Sequence, residues 1–154
     1  MSILRLSHIG LCVSDLERST RFYRDLLGFE VLSELSVAGE AASRLLELDD
    51  CALEAVYLER DAVRIELLRF RKPGHRGEPG PRPMNQLGLT HLSLRVSDLQ
   101  ETLDRLRAEG HAVLEATRVG DPQHRSGAIF VTDPDGTRIE LVEAPGPPDA
   151  LPGS

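Results

Sequence analysis

Two stretches of this chain are nearly one stretch. Leu6-Ser7-His8-Ile9-Gly10-Leu11-Cys12-Val13-Ser14-Asp15-Leu16 returns as Leu89-Thr90-His91-Leu92-Ser93-Leu94-Arg95-Val96-Ser97-Asp98-Leu99. A shorter pair follows each, Arg64-Ile65-Glu66-Leu67 and Arg138-Ile139-Glu140-Leu141. A duplicated fold explains the repeated apolar residues. It does not explain a His early and a Glu late in both halves, since neither type has packing value. The economical reading is a two-module domain with a metal held by the copies.

The periodicity gives each module a plan. Residues 3–13 and 89–96 alternate with a period of two, which predicts strands. Ser14 with Glu17, and Ser97 with Gln100, have the spacing of capping boxes. Helix stripes follow, through Leu16, Phe22, Tyr23, Leu26 and Leu27 and through Leu99, Leu103 and Leu106, closed by Gly28 and Gly110. Further strands are expected at about 29–36, 44–58 (in part) and 62–70, then at about 112–118, 127–132 and 137–143. Asp135-Gly136 is a hairpin signal before the last. Both halves therefore read β-α-β-β-β, an α+β class. Module 1 spans about 3–70 and module 2 about 87–144, making one domain over 1–144. The connection 71–86 carries four prolines and three glycines and reads as irregular. The Pro- and Gly-rich tail 145–154 is expected to be disordered.

Alternation also sets direction. If Ile9, Leu11 and Val13 face the helix, His8, Gly10 and Cys12 face the other way. By the same rule His91, Ser93 and Arg95 oppose Leu92, Leu94 and Val96. Glu66 and Glu140 then project from the surface that carries the histidines, because Ile65, Leu67, Ile139 and Leu141 pack inward. Two half-barrels would bring two imidazoles and two carboxylates together, a donor set suited to a divalent transition metal with positions left for substrate. A bland alternative exists for each residue alone, as a strand histidine or a solvated glutamate. The correlation between copies favours ligands.

The chain has 154 residues, enough for a core without staples, and a net charge of -7 that argues against nucleic acid. Cys12 and Cys51 form no framework, so reduced thiols and a cytoplasmic location are expected. No apolar run reaches membrane-spanning length. Only Lys72 among 18 basic residues is a lysine, a skew expected of a GC-rich bacterial genome.

His8 to Leu27, His91 to Leu106 and Asp133-Pro134-Asp135-Gly136-Thr137-Arg138-Ile139-Glu140-Leu141 together resemble the vicinal oxygen chelate superfamily. That group includes glyoxalase I, methylmalonyl-CoA epimerase, extradiol dioxygenases and the fosfomycin and bleomycin resistance proteins. The resemblance implies two βαβββ modules forming a half-open barrel around a metal, with His8, Glu66, His91 and Glu140 as ligands. The full His/Glu/His/Glu set is similar to that of bacterial glyoxalase I. Glutathione-using members carry Asn-Trp shortly after the first Glu, whereas Glu66 here precedes Leu67-Leu68-Arg69-Phe70-Arg71.

The implied chemistry is proton transfer next to a carbonyl, supported by one divalent ion (Ni, Co, Zn, Mn or Fe). Glu140 is the first candidate for the base and Glu66 the second. Three other classes compete: an extradiol dioxygenase using His8, His91 and Glu140, a metal-free drug-binding protein, and a thiol transferase acting on an antibiotic. Drug binding of that type relies on aromatic stacking, and the chain has no Trp, four Phe and two Tyr. Arg64, Arg138 and Arg95 share the ligand face and could hold an anionic small-molecule substrate, although ion pairs at the barrel end serve equally well for the first two. The basic group Arg69, Arg71, Lys72, Arg76 and Arg82 is read as loop solvation before substrate steering. His75, His111 and His124 are read as surface residues. A homodimer is expected, since open sheet edges call for a partner.

Overall fold

The computed structural model describes residues 2–150, and the last four positions of the expected disordered tail lie outside them. The chain divides into two compact units, Met1–Glu78 and Pro79–Ser154.

In the first unit β1 (Ile9–Cys12) leads into α1 (Leu16–Arg21), which continues as a wider π turn over Phe22–Leu26. Then come β2 (Glu30–Ala38), α2 (Glu40–Leu46), β3 (Ala52–Arg60) and β4 (Val63–Lys72). The sheet order is β1-β4-β3-β2, with β1 parallel to β4 and the other pairs antiparallel. The second unit repeats the arrangement with β5 (His91–Arg95), α3 (Leu99–Ala108), β6 (Val119–Asp121), β7 (Ser126–Thr132) and β8 (Arg138–Glu143). Its sheet order is β5-β8-β7-β6, again with one parallel pair. Two four-stranded mixed sheets, each with helices, confirm the α+β class.

Each core lies between a helix and the face of its own sheet that the alternation assigned to it. Phe22, Tyr23, Leu58, Ile65 and Leu67 in one unit, and Leu103, Ile129, Val131, Ile139 and Leu141 in the other, are essentially inaccessible. Truncating one such Leu or Ile to Ala costs about 2–5 kcal/mol.

Several local expectations are corrected. The helix caps are Asp15 and Asp98, one residue after the serines: their carboxylates accept from Arg18 N at 3.0 Å and Glu101 N at 2.8 Å. Both aspartates have the extended backbone a cap requires, and a carboxylate complements the helix dipole better than a hydroxyl. Ser14 instead accepts from the Arg18 guanidinium. The stretch expected as strand from residue 44 opens as α2, because Ala41, Ala42, Leu45 and Leu46 are good helix formers, and the strand begins only at Ala52. Residues 112–118 hold one bridge, Val113 to Val131, and a short 3₁₀ turn over Glu115–Thr117; β6 follows at 119. The first strand is shorter than 3–13, and Ile3, Leu4 and Leu6 are exposed.

The described part of the tail makes turns. The Arg95 guanidinium donates to the carbonyls of Ala144, Pro145 and Ala150 at 2.6–2.9 Å. At the β7–β8 hairpin the Asp133 carboxylate accepts from the N–H groups of Asp135 and Thr137. Gly136 there has φ +93°, and a Cβ on it would fall 2.2 Å from Gly80 carbon, so only glycine fits. Among the described residues no helix is long and apolar enough to cross a membrane.

Candidate metal centre

The two His/Glu pairs are built by the same register. In the first unit Gly10 pairs with Glu66 across the parallel β1–β4 ladder, and His8 precedes β1 by one residue. In the second, Ser93 pairs with Glu140 across β5–β8, and His91 opens β5. Each Glu thus stands beside the residue two places after the His, on the same sheet face.

The atoms meet as that register requires. His8 Nε2 lies 3.2 Å from Glu66 Oε2, and His91 Nε2 lies 3.6 Å from Glu140 Oε2. In both imidazoles the other nitrogen, Nδ1, is bound to the hydroxyl of the preceding residue: Ser7 Oγ at 3.1 Å and Thr90 Oγ1 at 2.9 Å. Such a bond fixes the ring and leaves Nε2 to face the carboxylate, the role an outer-shell partner plays for a ligating histidine. Each ring also meets an aromatic edge to face, Tyr57 for His8 at 5.2 Å and Phe130 for His91 at 5.3 Å between centroids.

The donor spacing suits a shared cation. Nitrogen and oxygen atoms each about 2.1 Å from a transition-metal ion stand about 3.0 Å apart at a right angle and about 3.4 Å apart at the tetrahedral angle. The observed separations, 3.2 and 3.6 Å, lie near that range. Each pair offers one imidazole nitrogen and one carboxylate. No group of three or more His, Cys, Asp or Glu placed to hold a metal occurs among the described residues.

The surroundings of the two carboxylates differ. Glu140 Oε2 accepts from Ser93 Oγ at 2.8 Å. Glu66 has Gly10 at the corresponding place, and its hydroxyl donor is Tyr57, its directly paired residue on β3. That hydrogen bond, with partial burial, pushes the Tyr57 phenol up to about 12. On β7 the residue paired with Glu140 is Phe130, which has no hydroxyl. Tyr57 lay within the strand expected over 44–58, but its pairing with Glu66 is a matter of register between strands, which the sequence pattern does not show. The hydroxyls Ser7 and Thr90 were legible as a second repeated element beside each His.

The three arginines considered for substrate are engaged within the chain. Arg64 Nε donates to Glu59 at 2.5 Å, an ion pair of the kind offered as its alternative. Arg138 donates to the Arg82 carbonyl at 3.0 Å and lies over the Phe130 ring, while Arg95 holds the tail. Arg69 and Arg71 pair with Glu54, and Lys72 with Asp50. His75 is exposed; His111 is half-buried, with its pKa lowered by that burial, and His124 is paired with Asp121 at 2.6 Å. Neither Cys12 nor Cys51 forms a disulfide among the described residues. A groove of about 800 Å³ in the first unit is lined by Asp15, Arg21, Glu34, Glu54 and Arg69, among others, and includes neither His8 nor Glu66.

Comparison with known proteins agrees with this architecture. A lactoylglutathione lyase from Salmonella typhimurium is 31% identical over 147 residues, covering 92% of this chain and 93% of the relative. A 2-epi-5-epi-valiolone epimerase from Actinomyces sp. is 26% identical over 151 residues, covering 90% and 78% respectively. The crystal structure of a glyoxalase family protein from Bacillus cereus superposes with a TM-score of 0.81 at 24% identity, covering 95% of this chain and 97% of that one. The family model of the Glyoxalase/Bleomycin resistance protein/Dioxygenase superfamily matches residues 5–141, and the chain belongs to that superfamily.

Proposed function

We propose that the protein is a divalent-metal-dependent lyase or isomerase that moves a proton next to the carbonyl of a small, anionic substrate. The observation that carries this reading is the duplicated pair, His8 with Glu66 and His91 with Glu140, each with Nε2 facing a carboxylate and Nδ1 held by a hydroxyl. In this reading the four side chains together hold one ion of Ni, Co, Zn, Mn or Fe, and residues 1–144 work as one domain. When bound, the cation supplies Lewis-acid polarisation of the substrate carbonyl.

The protein's own groups do the rest. Ser7 and Thr90 orient the imidazoles. Glu140 takes the proton from the carbon next to the carbonyl, leaving an enediolate, and returns it to that carbon or its neighbour. Glu66 is the second choice for the base. Greater exposure of Glu140, 26% against 13% for Glu66, supports this order. The names of two relatives, a lyase acting on lactoylglutathione and an epimerase, belong to the same two reaction classes. Glutathione is not carried over, since no Asn-Trp follows Glu66.

The deciding experiment is solvent deuterium exchange into α-hydroxyketones, hemithioacetals and acyl-CoA thioesters, with each of the five metals supplied in turn. Exchange that disappears in Glu140→Gln while metal is retained supports the reading. Oxygen-dependent cleavage of a catechol by the iron form, with no exchange into any candidate, replaces it with a dioxygenase. A homodimer is part of the proposal, supported by exposed Ile3, Leu4, Leu6, Leu87 and Leu89. A monomeric mass by light scattering at micromolar concentration would remove that part.

A further inference from the structure

We infer that Tyr57 is a positioning residue that fixes Glu66 as the permanent carboxylate ligand, so that the carboxylates of the two modules are not interchangeable. This rests on the metal reading above and deepens it.

The geometry begins with room. A Cβ on Gly10 would lie 3.2 Å from Leu68 Cδ1, so a serine there would press on that side chain. Glu140 is followed two residues later by the shorter Val142, and its neighbour across the parallel ladder is Ser93. The first unit therefore cannot place its hydroxyl on β1 without displacing Leu68. It places one on β3, where Tyr57 pairs directly with Glu66 and packs edge to face on His8. One rigid aromatic side chain thus touches both members of the His8–Glu66 pair.

Ser93 makes a different contact. Its hydroxyl donates to Glu140 Oε2, the same oxygen that faces His91. The donor occupies a lone pair on that oxygen, and the His–Glu separation there is longer, 3.6 Å against 3.2 Å. A serine hydroxyl rotates freely about one bond and can release the carboxylate, whereas a ring packed on His8 cannot swing away without losing that contact. Glu66 is held, and Glu140 is the carboxylate free to exchange between ligand and base.

The test uses Co(II) as probe on the full chain, measuring affinity by chelator competition together with the visible spectrum of the bound ion. Tyr57→Phe is expected to fold, since Phe130 fills the matching place in the second unit. It should weaken Co(II) binding about tenfold, the lower end of the usual effect of outer-shell partners, and change the spectrum. Ser93→Ala should leave affinity within about threefold by the same comparison. If Tyr57 acts through Glu66, adding Y57F to E66Q should cause no further loss. The triple variant G10S/Y57F/L68V, which copies the second unit, should stay within about threefold of Y57F, because a serine there holds the carboxylate no more firmly than Ser93 holds Glu140. Equal effects of Y57F and S93A, or a full further loss of affinity when Y57F is added to E66Q, overturn the inference alone. A wild-type protein that binds no Co(II) or any of the other four ions overturns the metal reading itself.

Discussion

The two units share a backbone plan and differ in how they finish it. Both place a His and a Glu in one register across a parallel strand pair, and both give the His a hydroxyl from the preceding residue. They diverge at the partner of the carboxylate, a phenol from β3 in one and a serine from β5 in the other. The His–Glu contact within each unit is the same, while the hydroxyl that supports the carboxylate comes from a different neighbouring strand. The units also differ in closure: the first adds α2, beside which Cys51, Leu53 and Ala55 form an apolar cluster with Leu68 and Phe70.

The sharpest test of equivalence is in the cores. Leu67 and Leu141 follow the two glutamates and are fully buried. Alanine at either should cost about 2–5 kcal/mol in urea unfolding. Costs differing by more than the scatter of such substitutions would show that the repeat does not extend to packing.

Metal linkage comes next. At a hundredfold excess over Kd, an ion bound only by the folded state adds about 2.7 kcal/mol. Chelator should remove that increment from the wild type. Each of His8→Ala and His91→Ala should abolish it to a similar degree in calorimetry with and without metal. A loss confined to one of the two would break the symmetry of the pairs.

The hairpins differ in sign. Asp61 and Ala62 join β3 to β4 with φ of +50° and +61°, while Asp135-Gly136 occupies the matching turn before β8. Left-handed backbone costs a residue with a Cβ about 1–2 kcal/mol. Ala62→Gly should therefore stabilise the protein by up to about 1 kcal/mol, allowing for the added unfolded-state entropy. Gly136→Ala should destabilise it by more than that, because the new methyl also strikes Gly80. Thermal melts of the two variants read both signs.

The helix caps give the smallest effects. Asp15→Ala and Asp98→Ala should each cost about 1 kcal/mol. The Arg18 backbone N–H holds the Asp15 carboxyl below its usual range. A lowered native pKa means the contribution is present above the unfolded value and is lost as pH falls through the native one. The Arg18 amide resonance, followed by NMR, should keep its capped shift past the ordinary carboxylate midpoint. In Asp15→Asn the acid-dependent step should vanish.

The sequence by itself determined the repeat, the strand-helix-strand plan, the inward faces and the positions of His8, Glu66, His91 and Glu140 on one side of their sheets. These follow from local rules, since a period of two fixes which way a strand residue points whatever it packs against. Membership of the superfamily was legible as a resemblance, carried by the motifs around His8 and His91 and by Asp133 to Leu141. The caps were misplaced by one residue because Ser14-Asp15 and Ser97-Asp98 each offer two good capping side chains, and only the backbone angles select one. Helix α2 was missed because a short apolar run carries no decisive period. Only tertiary structure decided that Tyr57 stands opposite Glu66 and Ser93 beside Glu140. Those pairings depend on strand register between segments nine and 47 residues apart, and register is set by hydrogen bonds across the sheet rather than by any pattern within one strand.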